Sequence, residues 1–314
     1  MTSAALTNPI FTNEDKAREH LEAIRWPNGP YCPHCGEADQ AHLKRLEGKS
    51  HRPGLFQCNS CRQHFTVTVG SVFERSKIPL TKWLLGFHLM ASSKRGISAH
   101  QLHRQLGITY KSAWFMAHRI REAMTPGAAS KDPMGGSGKI VQADETYIGN
   151  TKRAKSYRKG LRHKRSIVAL VEPQGKARVF HVKKANVETV REILVRNVDR
   201  KSELHTDESG LYVQTGKEFA DHKTVKHGWN KRGVYVGPEG QTTNHVENFF
   251  GNFKKGMKGV YGFCSEQHLQ RYLTEFEFRY NNRSALGVTD GERAVTALQG
   301  AEGKRLTYRQ AQSD

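Results

Sequence analysis

The sequence predicts a protein of the α/β class, in which a small cysteine-containing module and a helical module precede a larger domain of strands and helices. Two Cys-x-x-Cys pairs lie within residues 32–61. Residues 97–124 have the spacing of two short helices joined by a tight turn. From residue 140 onward, β-rich runs and amphipathic helices follow in the order three strands, helix, strand, helix, strand, helix.

The cysteines of the first module predict a structural zinc site. The pairs Cys-Pro-His-Cys and Cys-Asn-Ser-Cys are separated by 22 residues, and two such pairs complete a tetrahedral Zn²⁺ site. Two disulfides are an alternative that the absence of a visible export signal disfavours. A redox pair is another, but a thioredoxin-type motif opens a helix after a buried strand, and neither pair is so placed. His34 or His64 can replace a cysteine ligand, whereas Cys264 stands apart and is expected to be a small buried residue. The predicted ligands are Cys32, Cys35, Cys58 and Cys61.

The residue spacing of the helical module is typical of a helix-turn-helix. A helix is predicted over Lys82–Ser92, after an earlier one over Asn13–Trp26. Further on, Gly107 marks a turn and Thr109 caps a second helix, Tyr110–Met124. An ordinary helical hairpin has the same pattern, but the positive charge of the chain favours DNA binding. On the second helix, the candidate DNA contacts are Lys111 and Arg119.

The domain after residue 140 has the element order of an RNase H-like α/β domain, which predicts a mixed five-stranded sheet with helices. Strands are predicted over Ile140–Ile148, Ser166–Val171, Ala177–Val182, Leu204–Asp207 and His222–Lys226, and helices over Val187–Val198, near Leu211–Phe219, Asn244–Met257 and Glu266–Asn281. The chain therefore divides into an N-terminal helical segment (1–28), a zinc ribbon (29–75), a helix-turn-helix domain (76–125), a linker (126–139), the RNase H-like domain (140–285) and a C-terminal tail (286–314).

Composition restricts the classes of protein to which the chain can belong. Its 314 residues include 50 Lys and Arg and 30 Asp and Glu, a net charge of +20. This surplus favours a polyanionic partner, because phosphate contacts release counterions and supply affinity independent of sequence. The best apolar run, Ile167–Val171, is far shorter than the roughly 20 residues of a membrane span. Met1–Asn8 lacks the features of a secretory signal, so we expect a cytoplasmic protein.

The positive charge is concentrated in one segment. Between Thr151 and Arg165 there are eight basic residues and no acidic one. A solvated loop is the alternative reading, but in a basic chain such a run favours contact with DNA or RNA. The candidate contacts are Lys152, Arg153, Lys155, Arg158, Lys159, Arg162, Lys164 and Arg165.

Three acidic residues lie at element ends where such a domain builds a site. Asp144 lies in the first strand, Asp207 ends the fourth, and Glu247 lies on the first of the last two helices. Chemistry at a phosphodiester uses two divalent cations about 4 Å apart, and hard cations such as Mg²⁺ prefer oxygen ligands. Three carboxylates from separate elements therefore indicate a metal site. Glu145 and Glu208 directly follow the two Asp residues, and strand alternation predicts that only one of each pair faces the site.

The helix that carries Glu247 has one apolar face, which is expected to pack on the sheet. Glu247 lies at the rim of that face, and Lys254, seven residues later, lies in line with it. The alternative is that Glu247 and Lys254 are ordinary surface residues. The nearby Asp residues instead favour a functional role, in which the carboxylate of Glu247 binds a metal and the ammonium group of Lys254 binds a phosphate. The apolar face consists of Val246, Phe249, Phe250, Phe253 and Met257.

Several motifs occur together and in order: Cys-Pro-His-Cys-Gly, Cys-Asn-Ser-Cys, Asp-Glu-Thr-Tyr-Ile-Gly, Thr-Asp-Glu-Ser, His-Val-Glu-Asn and Lys-Lys-Gly-Met-Lys-Gly-Val-Tyr. In this combination, over about residues 13–285, the chain resembles the zinc-ribbon DDE transposases of bacterial insertion sequences. The resemblance implies that Asp144, Asp207 and Glu247 form the catalytic triad, followed by Lys254. In that family Asn or His can stand at the third position, and Asn244 and His245 lie within one turn of Glu247. Positions that resemble the family and imply packing or DNA contact are Tyr261, Arg271, Tyr272, Arg279, Tyr280 and Asn281.

The resemblance also implies a reaction. With Mg²⁺ or Mn²⁺, water attacks a phosphodiester at the end of the element, and the freed 3′-hydroxyl then attacks target DNA. The ribbon and the helix-turn-helix would recognise the terminal inverted repeats of double-stranded DNA, and coupling two ends implies at least a dimer in the complex. Two alternatives stay open: a non-catalytic DNA-binding regulator derived from a transposase, and an RNase H-like nuclease that hydrolyses DNA without joining it.

Overall fold

The computed structural model describes residues 7–127, 132–149, 164–225 and 236–307. The chain forms two compact units: residues 1–125 together with 288–314 are unit 1, and residues 126–287 are unit 2. Within the described ranges, no helix has the length and apolar character needed to cross a membrane.

Unit 1 begins with a helix and a small antiparallel sheet. The elements are α1 (Glu14–Arg25), β1 (Leu43–Leu46), β2 (Leu55–Cys58) and β3 (His64–Phe65), with strand order β1-β2-β3. Asn13 caps α1, since its side chain accepts hydrogen bonds from two backbone N–H groups of the first turn. The core beside the sheet is aromatic: Trp26, Phe56 and Phe65 pack with ring centroids 5.4–6.0 Å apart. A module with so small an apolar core is typical of domains that a structural metal stabilises.

Three helices follow in unit 1: α2 (Leu80–Ser92), α3 (Ala99–Leu106) and α4 (Tyr110–Ala123). The side chain of Ser98 caps α3. Gly107 ends α3 in the left-handed conformation, with φ 57°, which glycine adopts without strain. Thr109 then caps α4 by accepting a hydrogen bond from the backbone of Ser112. The two helices and the tight turn lie where the sequence predicts them, in an arrangement that a DNA-binding helix-turn-helix and an ordinary helical hairpin share.

Unit 2 is built around a five-stranded mixed sheet. Its elements are β4 (Ile140–Ile148), β5 (Arg165–Val171), β6 (Ala177–Val182), α5 (Val187–Asn197), β7 (Glu203–Asp207), α6 (Val213–Gly216), β8 (Asp221–Val225), α7 (Asn244–Gly256) and α8 (Glu266–Asn281). The strand order is β6-β5-β4-β7-β8. β5 runs antiparallel to both β4 and β6, whereas β7 and β8 run parallel to β4. This topology confirms the predicted RNase H-like fold.

The two faces of the sheet carry separate apolar cores. Val141 and Ala143 of β4 lie in the core that includes α5. Ile167 and Ala169 of β5 lie in the other core, where Cys264 is also buried. Five side chains of α7 and of the turn that follows it pack there, and they are the predicted apolar face: Val246, Phe249, Phe250, Phe253 and Met257. The alternation along β4 and β5 thus places successive side chains on opposite faces.

Polar side chains of α8 cover the outer edge of β6. The side-chain amide of Asn281 accepts a hydrogen bond from the N–H of Ala177 at 2.7 Å and donates one to its carbonyl at 3.0 Å. The N–H of Val179 donates to the carboxyl group of Glu277 at 3.0 Å, and Gln270 donates to the carbonyl of Val179 at 3.0 Å. These side chains take the backbone groups that an edge strand otherwise presents to solvent.

Glu277 makes the stability of unit 2 dependent on pH. Burial raises the pKa of Glu277 to about 7, so the folded state favours the protonated form. The stabilisation is present below the ordinary pKa of Glu and is lost as the pH rises through about 7. We expect Glu277→Gln, whose amide oxygen still accepts from Val179, to be more stable than the parent above about pH 8 by up to about 3 kcal/mol. Urea denaturation at several pH values measures the difference.

The same difference should shrink as the pH falls toward about 5, because the parent carboxyl group is then protonated in the folded state. Glu188→Gln is the matched control, since Glu188 is exposed in the first turn of α5. A stability difference between Glu277→Gln and the parent that stays constant with pH would contradict the assignment.

Two segments outside the predicted domains take part in the fold. Segment 126–139, predicted as a linker, contributes buried Met134 to the core of unit 2, where it pairs with Val198. Segment 286–314, predicted as a tail, contains helix α9 (Asp290–Gln299), which packs against α2 within unit 1. A capping box of Thr289 and Glu292 starts α9, and this short signal is easily missed in the sequence.

Candidate active site and zinc site

The four ribbon cysteines form one cluster. The Sγ atoms of Cys32 and Cys61 lie 3.6 Å apart. Those of Cys35 and Cys58 lie 3.7 Å apart, and all four lie within 4.8 Å of one another. Tetrahedral Zn²⁺ with Zn–S bonds of about 2.3 Å requires sulfur atoms about 3.8 Å apart. The cluster therefore fits Zn²⁺ as the sequence predicts.

Backbone hydrogen bonds hold the first cysteine pair in place. The N–H of Gly36 donates to the carbonyl of Cys32 at 2.9 Å, and the N–H of Cys32 donates to the carbonyl of Glu37 at 2.8 Å. Gly36 has φ 82°, a conformation that glycine tolerates and other residues rarely adopt. His34 and His64 lie outside the cysteine group, whose four thiolates already complete the shell.

Asp144 and Asp207 come together where β7 ends. β4 and β7 are parallel neighbours, with Gln142 opposite His205, so residues 144 and 207 lie two positions further along both strands. A side-chain oxygen of Asp144, one of Asp207 and one of Glu145 lie within 4.8 Å of one another. We call these three residues the acid cluster. Each Asp also accepts a hydrogen bond from a nearby backbone N–H, which orients its carboxylate.

The carboxylates of the acid cluster repel one another. Burial, followed by the charges of Asp207, Glu145 and Glu247, raises the pKa of Asp144 to about 7. Carboxylates this close repel one another unless a cation or a proton lies between them. The donor set consists of carboxylate oxygens alone, which suits hard divalent cations such as Mg²⁺ or Mn²⁺.

Glu145 joins the cluster although alternation predicts that only one of residues 144 and 145 faces the site. The side chain of Glu145 lies toward Tyr212, whose hydroxyl donates a hydrogen bond to it at 2.8 Å. Tyr212 is fully buried in the α5 core, so this contact lies on the face opposite α7. At the end of β7 the longer Glu side chain still reaches the Asp residues. The prediction of a single facing acid is therefore wrong for Asp144 and Glu145, whereas Glu208 is exposed and lies outside the cluster.

Glu247 lies beside the acid cluster without belonging to it. Its carboxylate accepts a hydrogen bond from the hydroxyl of Thr243 at 2.6 Å, and its charge contributes to the raised pKa of Asp144. The start of α7 is fixed on β4 by Gln142, which is fully buried. The side-chain oxygen of Gln142 accepts from the N–H groups of His245 and Val246 at 3.0 and 3.2 Å. Sequence reasoning missed this contact, because the partners of Gln142 lie more than 100 residues away in the sequence.

The other residues predicted on α7 are placed as follows. Asn244 is the exposed first residue of the helix, and His245 lies outside the acid cluster. Burial, followed by the charge of Arg283, lowers the pKa of His245, which favours the neutral imidazole. Lys254 is exposed in the last turn, nearly two turns after Glu247.

The predicted DNA contacts differ in their placement. Those from Lys152 to Arg162 lie outside the described residues. Lys164 is exposed, and Arg165 begins β5, where it donates to the carbonyl of Cys264. Lys111 is exposed on α4. Arg119 instead donates to the carbonyls of Val72, Glu74 and Leu306 at 2.9–3.2 Å and lies over the ring of Phe115, which commits its guanidinium to packing in unit 1.

Several positions that resemble the transposase family serve packing. Glu275 is fully buried and pairs with Arg279, and the hydroxyl of Tyr261 donates to it at 2.6 Å. Tyr272 packs against Tyr261 with ring centroids 4.8 Å apart. These contacts fix α8 to the turn that follows α7. Sequence reasoning missed Glu275, because a buried ion pair one turn apart looks like an exposed one.

Comparison with known proteins matches both modules. A family profile described as the ISXO2-like transposase domain matches residues 135–281. One described as the transposase zinc-ribbon domain matches residues 12–64. An uncharacterized protein in transposable element ISH50 of Halobacterium salinarum is 29% identical over 138 residues, which are 44% of this chain and 43% of that protein. The match therefore spans less than half the length of that relative.

Two solved structures show distant similarity. The Mos1 transposase paired-end complex with left transposon end is 11% identical with a TM-score of 0.29, covering 69% of this chain and 75% of that one. A pre-cleavage Mos1 transpososome is 12% identical with a TM-score of 0.27, covering 64% and 70%. These scores are low, and the fold assignment depends on the strand order instead. The ribbon thus matches a transposase zinc-ribbon domain and the sheet domain that carries the acid cluster matches an ISXO2-like transposase domain, in the order that the sequence resemblance implies.

Proposed function

We propose that this protein binds the terminal inverted repeats of its element, cuts the DNA there and joins the ends to target DNA by divalent-metal-dependent phosphoryl transfer. The observation that supports this most is the acid cluster at the end of β7, with Glu247 beside it. It is the one group of three or more carboxylates within 4.8 Å among the residues that the structure describes. Its position in the sheet domain rather than in the ribbon separates the proposed catalytic metal site from the zinc site.

Asp144 and Asp207 would hold Mg²⁺ or Mn²⁺, with Glu247 as the third acid and Glu145 as an additional oxygen donor. Bound cations supply charge stabilisation to the attacking and leaving oxygens of the phosphodiester. The hydroxyl of Tyr212 orients Glu145, and Gln142 fixes the helix that carries Glu247. Lys254, exposed in the last turn of α7, would bind a phosphate next to the scissile one.

The net charge of +20 supports DNA as the partner. In this proposal the basic run from Lys152 to Arg165 and Lys111 on α4 contact phosphates. The ribbon and the helix-turn-helix recognise the inverted repeats. Because two ends must be joined to one target, the active complex contains at least two copies of the chain.

Pre-cut DNA ends test the joining activity directly. The full chain is incubated with Mg²⁺ or Mn²⁺, a duplex of the element end with a free 3′-hydroxyl and a supercoiled plasmid. We expect the labelled end to become covalently attached to the plasmid, because transesterification needs no energy source beyond the phosphodiester itself. Gel electrophoresis and sequencing of the junctions measure the product.

The alternatives give other products in this assay. A nuclease shortens the labelled DNA without attaching it to the plasmid. A non-catalytic regulator shifts the mobility of the end duplex and leaves both DNAs intact. Either result would overturn the proposed transposition chemistry.

A further inference from the structure

Phe263 is the most exposed large apolar side chain among the described residues, with 58% of its surface accessible. It follows α7 and a π-helical turn, Met257–Tyr261. Gly262 then has φ 68° and ψ −66°, and the N–H of Phe263 donates to the carbonyl of Tyr261 at 2.7 Å. These values define the rarer form of γ-turn, which turns the chain sharply and is easiest for glycine. The turn directs Phe263 toward solvent, whereas the next residue, Cys264, is buried.

The turn is held on both sides of Phe263. On one side, the hydroxyl of Tyr261 donates to buried Glu275 at 2.6 Å. On the other, Arg165 donates to the carbonyl of Cys264 and its guanidinium lies 5.7 Å from the centre of the Phe263 ring. An exposed phenyl ring forgoes about 1.5–3 kcal/mol of burial free energy. Contacts that hold such a ring at the surface therefore suggest that it has a ligand.

The surroundings of Phe263 are basic. Arg165 is the first residue of β5 and lies opposite Ile148, the last residue of β4. The basic run belongs to the connection between these strands, and Arg165, its last member, lies at this end of the sheet. Lys254 is exposed on α7, between Glu247 and the turn that leads to Phe263. An aromatic face among cations suits a nucleic acid, which offers flat bases and phosphates together.

We propose that Phe263, backed by Arg165, is a stacking platform for an unpaired base of the DNA that unit 2 binds. A base inside a duplex is already stacked on both sides, so the ring can receive only a base that is unpaired or at an end. Breaking a strand at the acid cluster creates such an end. This inference rests on the proposed DNA-binding function of unit 2, and Phe263 adds to it a contact with a base rather than with a phosphate.

Binding to tailed DNA tests the platform without requiring catalysis. The probe is a duplex with a short single-stranded tail that carries aminopurine, a fluorescent adenine analogue quenched by stacking, and the same duplex with a blunt end is the comparison. All proteins carry Asp144→Ala so that no DNA is cut. Phe263→Ala is expected to lower the affinity for the tailed duplex by about fivefold to about 150-fold, to relieve the quenching, and to leave affinity for the blunt duplex nearly unchanged. Phe263→Trp should retain both affinity and quenching.

Leu286→Ala is the matched control, because Leu286 is another exposed apolar residue of unit 2, with 39% of its surface accessible. It should bind both probes like the parent. Equal affinity of Phe263→Ala and the parent for the tailed duplex, or equal losses for Phe263→Ala and Leu286→Ala, would overturn the platform. Neither result would bear on strand joining by the protein that retains Asp144. Failure of this inference is therefore distinguishable from failure of the proposed chemistry.

Discussion

Asp144→Ala is expected to abolish cutting and joining of DNA while DNA binding persists. Asp144 belongs to the acid cluster, and its carboxylate interacts with Asp207, Glu145 and Glu247. Without it, the pair of cations that phosphoryl transfer requires cannot both be held, and we expect the rate of strand joining to fall by about a thousandfold or more. Affinity for the end duplex should stay the same or rise slightly, because the lost carboxylate repels phosphate. Rates from the pre-cut-end assay and mobility shifts measure the two quantities separately.

Glu208→Ala is the matched control for this experiment. Glu208 directly follows Asp207 but is exposed and lies outside the acid cluster. Its loss removes the same charge from the residue next to Asp207 and should leave joining intact. Joining by Asp144→Ala at the rate of the parent would show that the acid cluster does not catalyse the reaction.

Loss of zinc is expected to unfold the ribbon of unit 1. Structural Zn²⁺ sites contribute about 10–16 kcal/mol of apparent binding free energy in zinc-finger peptides, which exceeds the stability of most small modules. Beside the cysteines, the apolar packing centres on Trp26, Phe56 and Phe65. Cys58→Ser should therefore release zinc, remove the near-ultraviolet circular dichroism of these rings and make the segment from β1 to β3 sensitive to proteases. Zinc content and proteolysis patterns measure the effect.

Cys264→Ser serves as the control for the loss of a thiol. Cys264 is buried in the core of unit 2 together with side chains of α7, far along the sequence from the ribbon. Its substitution should leave one equivalent of zinc bound, because all four thiolates of the tetrahedral ribbon site remain. A ribbon that keeps zinc and protease resistance after Cys58→Ser would show that the cysteine cluster is not the zinc site.

Local patterns were sufficient to predict most elements of unit 2. The β-rich run of β4 predicted Ile140–Ile148, and the structure has the same bounds. The face of α7 from Val246 to Met257 followed from helical spacing alone, because every member contacts one core. Asp144 and Asp207 were predicted together because they lie on separate elements of an RNase H-like order and in motifs that resemble the transposase family, whereas periodicity did not select them over Glu145 and Glu208. Their meeting in the structure follows from the parallel pairing of β4 and β7.

Contacts that depend on side-chain length and on distant partners did not follow from periodicity. Alternation predicted that Glu145 faces away from Asp144, but the strand end and the hydroxyl of Tyr212 bring its carboxylate into the cluster. Arg119 was predicted to contact DNA because it is basic and lies on α4, yet its partners are carbonyl groups from remote segments. Gln142 holds the start of α7 through a contact 103 residues apart in sequence, which no local pattern encodes.

The side chains of α8 along β6 have a consequence for how two copies of the chain can assemble. Asn281, Glu277 and Gln270 occupy the hydrogen-bonding groups through which a strand from a second molecule would add to the sheet. A continuous intermolecular sheet is thereby blocked at β6, as is the fibre-forming association that bare strands promote. In the proposed complex, copies brought together on two DNA ends would therefore meet through surfaces other than the edge of β6.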